Sequence, residues 1–439
     1  MNNLVRSPER RSQPGFRRNL RCGIGGLAAA LVCGLTPWLT AQTPHSDTLR
    51  LADAIQVAIQ ANPMLQAARE GVVAAEERIG PAGALPDPQI SGQLMNRAPP
   101  SFSFTSNLMT QNQLGVMQTI PFPGKQGAAR NAAEHNAAAA SADADEQTRM
   151  LASEVRMHYF DVAYADRALD VMRQTRGLLR EFLDVSTTMY AVGSAVQQDV
   201  LRAQIEVGRM AEEITRMTQD RLAMAARLDA LLGRDATAAV PPLELPEPAG
   251  ELPAPDSLVA RALKGRPALR AGAERVAAAE ASLSGARREL FPDLQLGWAY
   301  NWSFSLKNSQ NFMFAVNLPI FAPWRQLPMR REAAAMRDMS RAELLNLRNE
   351  TVAKIIETRA RAEQDRNLAR LYQTSIVPQA RTAVQASLAS YRVGRLSFME
   401  LIDNQMTVNR YETETYRLVA DYQQALGELE ALVGGPVED

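Results

Sequence analysis

Cysteine is almost absent from this chain of 439 residues, and its two cysteines, Cys22 and Cys33, both lie near the N-terminus. The segment that contains them has six arginines, then an apolar run over residues 23–35, then the small-residue sequence Leu39-Thr-Ala41. These features predict a signal peptide over residues 1–41, which export would remove. The mature protein would then hold no thiol, no disulfide and no cysteine metal site.

The chain also lacks an excess of positive charge and any long apolar segment after the signal peptide. Removing six arginines and Glu9 with that peptide takes 48 basic and 48 acidic residues to 42 and 47, a net charge near −5. Nucleic acid is therefore not an expected partner. No later segment has the roughly 20 consecutive apolar residues of a membrane helix. An exported protein of this kind would enter a membrane only through strands.

Catalytic and metal-binding motifs are missing as well. The sequence has no Walker A loop, no HExxH and no G-x-S-x-G. Its three histidines, His45, His135 and His158, are too scattered to predict a metal cluster. We therefore expect neither an enzyme nor a bound cofactor or metal, and we expect His135 and His158 on helix surfaces.

The chain does contain an internal repeat of two similar units. The segment YAVGSAVQQDVLRAQ, which begins at Tyr190, has a second version, YRVGRLSFMELIDNQ, which begins 201 positions later at Tyr391. Each copy places a glycine, Gly193 or Gly394, between two long helical patterns. Glycine tolerates the left-handed backbone found just after a helix. Both glycines are therefore predicted to be the bends of helical hairpins.

Two short alternating segments in each repeat predict β-hairpins, at residues 88–121 and 292–320. In the second hairpin, Trp298, Tyr300 and Trp302 share one face, while small and polar residues point the other way. Alternating strands of about 9 to 11 residues edged with aromatic residues are typical of outer-membrane barrels. Since a soluble hairpin packed on helices has the same pattern, the strands alone leave both interpretations open.

Long helical arms follow each predicted hairpin. Residues 126–191 contain no proline and would span roughly 100 Å as one helix. Pro378 and Gly177, 201 positions apart, predict a kink in the descending arm of each repeat. Each returning arm carries a coiled-coil seam with apolar spacings of 3 and 4, and its methionines are expected to fill the core. The seam positions are Val200, Ala203, Val207, Met210, Ile214, Met217, Arg221, Met224, Leu228 and Leu231, and then Leu401, Val408, Tyr411, Leu418, Tyr422, Ala425, Leu429 and Leu432.

These elements divide the mature chain into two repeats. The first covers residues 42–238, and a proline-rich connector covers 239–255. The second covers 256–434 and leaves a short tail, 435–439. Each repeat would contain a helix, a β-hairpin and a long helical hairpin. The expected fold is therefore mainly α, with two internal repeats.

This order of elements behind a signal peptide resembles the TolC family of outer-membrane efflux proteins over essentially the whole mature chain. The specific part is the pattern Y-x-V-G followed six residues later by an acid, Asp199 or Glu400. The resemblance implies a homotrimer in the outer membrane of a Gram-negative bacterium, with four strands per chain in one twelve-stranded β-barrel. The barrel would continue as an α-helical coiled-coil barrel in the periplasm. The implied partners are a periplasmic adaptor (membrane fusion protein), an inner-membrane transporter of the resistance-nodulation-division (RND) class, and outer-membrane lipid.

Two bounding segments, 85–88 and 118–125, further resemble the CzcC and CusC subgroups, which serve heavy-metal transporters. The expected function is the exit duct of a tripartite efflux system, with heavy-metal cations or drugs as its passively conducted substrate. Two alternatives stay open: an exit duct for type I polypeptide secretion, which has the same fold, and an exported coiled-coil structural protein without a barrel.

The resemblance also assigns roles to residues near the two bends. Glu400, Asp403 and Asp199 match the pore constriction, where a ring of acids favours cations. Ser397-Phe-Met-Glu400 is equally a helix capping box, so a purely local role for Glu400 also stays open.

Tyr391 and Asp199 match positions that hold the tips shut through an arginine. Leu396 stands where the family has that arginine, so Arg395 is the neighbouring candidate. Two further groups complete the expected sites. The adaptor would dock on Val192, Gly193, Val393, Gly394 and Arg395, and the membrane aromatic belt would consist of Trp298, Tyr300 and Trp302.

Overall fold

A computed structural model describes residues 49–95, 110–248, 250–303 and 307–437. The predicted signal peptide, residues 1–41, lies outside the described residues. Helices account for most of the described chain, and four strands form one sheet. Within these ranges, no helix is both long enough and apolar enough to cross a membrane.

The elements follow the same order in both repeats. In the first they are α1 (Leu51–Ala61), α2 (Pro63–Glu77), α3 (Ile79–Gly83), β1 (Gln89–Met95), β2 (Gln111–Ile120), α4 (Lys125–Ala191) and α5 (Gln197–Leu231). In the second they are α6 (Pro255–Gly265), α7 (Pro267–Arg288), β3 (Asp293–Trp302), β4 (Ser309–Asn317), α8 (Gln326–Leu371), a π turn (Tyr372–Ile376), α9 (Val377–Arg392) and α10 (Phe398–Val433).

Proline separates the two short helices at the start of each repeat. Pro63 and Pro267 occupy the first position of α2 and α7, where a missing N–H costs nothing. The Asn62 side chain caps α2 by accepting a hydrogen bond from the Met64 N–H at 2.9 Å. Each proline therefore begins a new helix and separates it from the one before.

The four strands form one antiparallel sheet in the order β1-β2-β3-β4. Ile90, Val116, Trp298 and Phe312 lie side by side across it, one from each strand. Side chains two residues apart on a strand share a face, so the register collects the apolar residues of all four strands on one face. The alternation predicted from the sequence is confirmed.

The two helical hairpins pack on each other mainly through α4 and α10. Near the bends, side chains of both hairpins form a single apolar cluster that includes Leu179, Met210, Phe398 and Leu401. All the predicted seam positions are buried or half-buried. The predictions of coiled-coil seams and of core methionines are therefore confirmed.

A π turn (Tyr372–Ile376) changes the residue offset between equivalent positions of the two descending arms. Before it, buried positions of α8 follow those of α4 by 200 residues, as for Val155 and Ile355. After it they follow by 201, as for Ser186 and Ser387. A π turn accommodates one extra residue inside a helix. It therefore explains why the offset between equivalent buried positions rises from 200 to 201 while the helix continues. At Gly177, where the sequence predicts a matching kink, α4 continues without interruption.

The connector lies against the helices of both repeats. The side chains of Val240, Leu243 and Leu252 are buried in the apolar clusters. The Arg221 guanidinium donates to the carbonyl of Val240 at 3.0 Å, and the Arg359 guanidinium donates to another connector carbonyl at 2.8 Å. Arginine thus satisfies carbonyl groups that proline-rich chain leaves without helical or strand partners.

The α8 helix buries a carboxyl group where α4 has an alanine. Asp365 follows the fully buried Ala165 by 200 residues, and its Oδ2 atom finds no hydrogen-bond partner in the described chain. Burial, reinforced by the negative charge of Asp421, raises the pKa of Asp365 from 3.8 to about 6. The contribution of Asp365 to folding stability is present below pH 3.8 and is lost as the pH rises to about 6.

We expect Asp365→Asn to raise the unfolding temperature at pH 7.5, because it removes a buried charge. The difference from the wild type should shrink as the pH falls towards 4, since Asp365 is then protonated. Thermal unfolding of the purified protein in detergent at both pH values measures this, with the exposed Asp184→Asn as control. Equal unfolding temperatures at pH 7.5 would contradict the assignment.

Candidate functional site

The two bends have the same backbone geometry. Gly193 and Gly394 have φ angles of 74° and 72°, in the left-handed region. At the first bend, the Ser194 N–H donates to the carbonyl of Met189 at 2.8 Å, and the Gly193 N–H donates to that of Tyr190 at 3.0 Å. The second bend repeats both hydrogen bonds. This pair of bonds defines the Schellman motif, which satisfies the last carbonyls of a helix.

The tip of each hairpin exposes an aliphatic side chain beside its glycine. Val192 is 72% exposed and Val393 is 66% exposed. A Cβ atom added to Gly193 or to Gly394 would meet nothing within 4 Å. Only backbone conformation, and not lack of space, therefore restricts these glycines.

A tyrosine and an aspartate connect the two hairpins just above the bends. The Tyr391 hydroxyl donates to Oδ2 of Asp199 at 3.3 Å, which joins α9 to α5. The ring of Tyr391 is buried and lies 5.3 Å from that of Phe398. Burial, together with the negative charge of Asp199, raises the pKa of Tyr391 to about 12. The phenol therefore stays protonated at neutral pH and remains a donor.

Arg395 takes no part in this contact within the described chain. Its side chain is exposed and has no ion pair there, although its N–H group closes the second bend on the carbonyl of Ser390 at 2.9 Å. Leu396 is half-buried. The structure thus brings together Tyr391 and Asp199 of the predicted closure residues. Among the described residues, the Arg395 side chain forms no hydrogen bond or ion pair with either of them.

Glu400 and Asp403 are both exposed on the first turns of α10. The Ser397 hydroxyl accepts from the Glu400 N–H at 3.3 Å, and the Glu400 carboxylate accepts from the Ser397 N–H at 3.2 Å. Glu400 therefore forms the capping box that its sequence predicts. Asp403 has no ion pair or hydrogen bond among the described residues. Its carboxylate is available to solvent or to another chain.

The apolar face of the sheet is open to the surroundings. The most exposed side chains lie on the outer strands: Phe312 is 82% exposed, Ile90 75% and Phe314 67%. The opposite face holds mostly small and polar residues together with three methionines, and Ala299 and Asn301 are buried there. An apolar face of this size on a protein surface marks contact with a membrane or with another protein.

The predicted aromatic belt lies on this apolar face, towards the end of β3 that is farther from the helices. The rings of Tyr300 and Trp302 stack with centroids 6.3 Å apart. The Trp298 Nε1 atom lies 3.5 Å from the Gln310 Oε1 atom, and Asn308 donates to the Tyr300 hydroxyl at 2.8 Å. Trp298 and Tyr300 thus combine an apolar ring with a polar contact, as residues at membrane interfaces do.

A second group of aromatic residues lies where the strands meet the long helices, and the sequence analysis missed it. Phe122 stacks on Phe291 with ring centroids 4.5 Å apart, and Phe321 lies 6.5 Å from Trp324. Trp324 is 77% exposed. The sequence does contain a signal for this group, because both aromatic pairs lie in proline-bounded segments between a strand and a helix.

The same junction contains a buried ionic contact between the repeats. Lys125 is 9% exposed, and its Nζ atom lies 2.8 Å from Asp293 Oδ1 and 3.2 Å from Glu289 Oε2. Asp293 Oδ1 also accepts from the Phe122 N–H at 2.8 Å. One carboxylate thereby fixes both the start of α4 and the start of β3. The sequence places Lys125 and Asp293 168 positions apart and gives no sign that they meet.

The two histidines that the structure describes, His135 and His158, do not form a metal site with each other. The His135 ring lies 2.7 Å from a carboxylate oxygen of Glu274, and the His158 ring lies 3.3 Å from that of Asp161. Among the described residues, no group of three or more potential ligands could hold a metal ion.

Comparison with known proteins places this geometry in a family. The family model for the outer membrane efflux protein matches residues 54–234 and 258–435. Nodulation protein T of Rhizobium leguminosarum bv. trifolii is 22% identical over 428 residues, which cover 93% of this chain and 90% of that protein.

Solved structures share the fold. The outer-membrane channel MtrE of Neisseria gonorrhoeae, in its open state, is 18% identical with a TM-score of 0.72, over 89% of this chain and 90% of that one. CusC, described for its folding and transmembrane channel formation, is 18% identical with a TM-score of 0.74, over 88% and 92%. The family consists of outer-membrane transport channels and not of enzymes. The resemblance to TolC-like proteins is therefore confirmed, and this chain belongs to the outer membrane efflux protein family.

Proposed function

We propose that this protein is the homotrimeric exit duct of a tripartite efflux system. It would conduct substrate passively from an inner-membrane pump of the RND class, through a periplasmic adaptor, to the exterior. The sheet would lie in the outer membrane of a Gram-negative bacterium, and the helical arms would extend into the periplasm. The comparisons support an outer-membrane efflux channel, and the trimer, the partners and the substrate are our proposals.

The observation that carries the proposal is the incomplete sheet. Within the described chain, β1 and β4 each pair on one side only, and the apolar face is open. In lipid, unpaired backbone groups have no water to bond, so a membrane sheet must close into a barrel. The smallest membrane barrels have about 8 strands, and one chain supplies four. Several copies must therefore combine, and three would give the twelve strands that the family resemblance implies.

The helical arms support the proposed adaptor contact. α4 has 67 residues and is therefore about 100 Å long at 1.5 Å per residue. The bends at its far end are the only part of the arms that could meet a partner deep in the periplasm. Val192 and Val393 offer exposed aliphatic contacts there, and Gly193, Gly394 and Arg395 complete the proposed docking surface.

Heavy-metal cations are the substrate that the tip chemistry favours. Glu400 and Asp403 lie one helical turn apart and are both exposed. In a trimer they would contribute six carboxylates near the bends, where a narrow opening concentrates their field. Asp199, which is held by Tyr391, would add its charge beside them. Such a constriction favours cations over anions.

The first test concerns the trimer. Chemical crosslinking in native outer membranes should give bands of one, two and three subunits and no larger species, because three copies close the barrel. A stable monomer in detergent that keeps its strand content would contradict the proposal.

The second test concerns the bends. We expect Gly193→Val combined with Gly394→Val to abolish efflux, since a β-branched residue in left-handed backbone costs roughly 1–2 kcal/mol at each bend. The trimer should persist, because both sites lie far from the strands. Replacing both glycines by asparagine, which tolerates this backbone, is the matched control and should retain efflux. Unimpaired efflux in the valine variant would rule out the docking role.

The third test concerns the acidic residues. Glu400→Gln with Asp403→Asn, measured in a planar bilayer, should lose both the preference for cations and the block by divalent cations. Glutamine can still act in the capping box, so the helix should lose no more than about 1 kcal/mol. Glu414→Gln, an exposed site farther along α10, controls for charge alone. If selectivity and block are unchanged while the helix loses stability, Glu400 acts only as a cap.

A further inference from the structure

The contact between the two repeats within one chain indicates which residues would meet between two chains. At the junction, Lys125 of the first repeat pairs with Asp293 of the second, across neighbouring strands β2 and β3. In a closed ring of identical chains, repeats alternate. The second repeat of one chain must therefore meet the first repeat of the next, and residues equivalent to Lys125 and Asp293 would face each other there.

The equivalent residues carry the charges that such a contact needs. Arg325 follows Lys125 by 200 residues, the offset that buried positions of α4 and α8 share before the π turn. Asp87 precedes Asp293 by 206 residues, and each follows a proline at the entrance to a strand. Both Arg325 and Asp87 are exposed, and neither side chain has an ion-pair partner in the described chain.

The strand registers support these offsets. Pro121 ends the first hairpin and Pro319 ends the second, 198 positions later. Adding 206 to the residue numbers of β1 and 198 to those of β2 should then give the equivalent residues of β3 and β4. The pair Gln89 and Met117 becomes Gln295 and Ala315, which do lie opposite each other in the sheet.

The same offsets give the register between chains. Leu114 lies opposite Tyr300 and Val116 lies opposite Trp298 across β2 and β3. With these offsets, each pair between β2 and β3 predicts a pair between β4 of one chain and β1 of the next, on the apolar face. The predicted pairs are Phe312 with Leu94 of the partner subunit, Phe314 with Gly92 of the partner subunit, and Val316 with Ile90 of the partner subunit. An aromatic ring opposite a glycine is a favourable pairing at a sheet edge, because the ring covers the exposed backbone.

The packing of the helices also leaves room for a neighbouring chain. α4 packs against both α2 and α7. Among the described residues, α8 packs against α7, α10 and α6 and has no comparable contact with α2. The side of α8 away from α7 would therefore receive α2 of the next chain. Exposed apolar residues lie on both helices, namely Met336 and Leu345 on α8 and Met64 and Val73 on α2.

We propose that a second copy of this chain docks in this register, with Arg325 paired to Asp87 of the partner subunit as the counterpart of the buried Lys125–Asp293 contact. The occupant of both open edges is thus the same protein. This inference rests on the trimer proposed above, and it adds the alignment of the strands and the ionic contact that fixes it.

Cysteine crosslinking tests the register, because the mature chain has no cysteine. In Ile90→Cys with Val316→Cys, the two sites of one chain are three strand spacings apart, roughly 14 Å, and are also displaced by four residues, roughly 13 Å, along the strands. They are too far apart for an internal disulfide. We expect oxidation in membranes to give disulfide-linked dimers and trimers. Gly92→Cys with Val316→Cys, displaced by two residues on the same face, should crosslink at least several-fold less. Gln118→Cys with Leu296→Cys, opposite each other in one chain, should give a monomer with an internal disulfide.

Trimers that crosslink through Gly92→Cys in preference to Ile90→Cys would overturn the register and leave the proposed function intact. Absence of trimers from the wild type, measured by crosslinking of lysines or by light scattering in detergent, would overturn both. Since the wild-type measurement is independent of the cysteine variants, the two failures are distinguishable.

Charge reversal tests the ionic contact. Arg325→Asp and Asp87→Arg should each lower the temperature at which the detergent-resistant trimer dissociates, and the double variant should recover most of the loss. Arg331→Asp, an exposed arginine further along α8, is the control and should leave that temperature unchanged. If the double variant is no more stable than the weaker single variant, the pairing is wrong, even where trimers still form.

Discussion

Backbone hydrogen-bonding groups on the free edges of β1 and β4 are the constraint on which the rest of the structure depends. The sheet carries an apolar face that is stable only when it is covered, and lipid can cover it only if no edge is left unpaired. The association between copies that we propose would therefore follow from the strands themselves and would not need a separate interface. The apolar side chains that would meet lipid and those that would meet the next chain belong to one face, which also contains the exposed rings of Phe312 and Phe314.

The long helices solve a different problem, because they must hold their shape over about 100 Å in water. Narrow apolar seams pack hairpin on hairpin, and buried polar contacts such as that of Thr175 with Asn409, 3.0 Å, fix their relative position. The buried charge of Asp365 opposes this stability and lies at a position where the first repeat has alanine. Duplication has thus kept the geometry of the two repeats while their chemistry has diverged.

At the bends the same duplication gives two nearly identical turns with different surroundings. Both end in a left-handed glycine with the same pair of hydrogen bonds. Only the second repeat contributes a buried tyrosine, which donates to Asp199 of the first. This hydrogen bond joins the two hairpins of one chain near their bends. In the duct that we propose, it would lie where motion of one hairpin relative to the other opens or closes the tips.

The sequence by itself determined the repeat, the glycine bends, the alternating face of the sheet and the coiled-coil seams. Each of these follows from local periodicity or from the backbone preferences of proline and glycine, and both act between near neighbours in the chain. It also indicated the capping box of Glu400, which is local. The tertiary structure decided the pairing of Lys125 with Asp293, the π turn just before Pro378, and the exposure of Arg395. These features depend on which distant residues come together when two helical hairpins and a sheet pack, and no spacing along the chain encodes that.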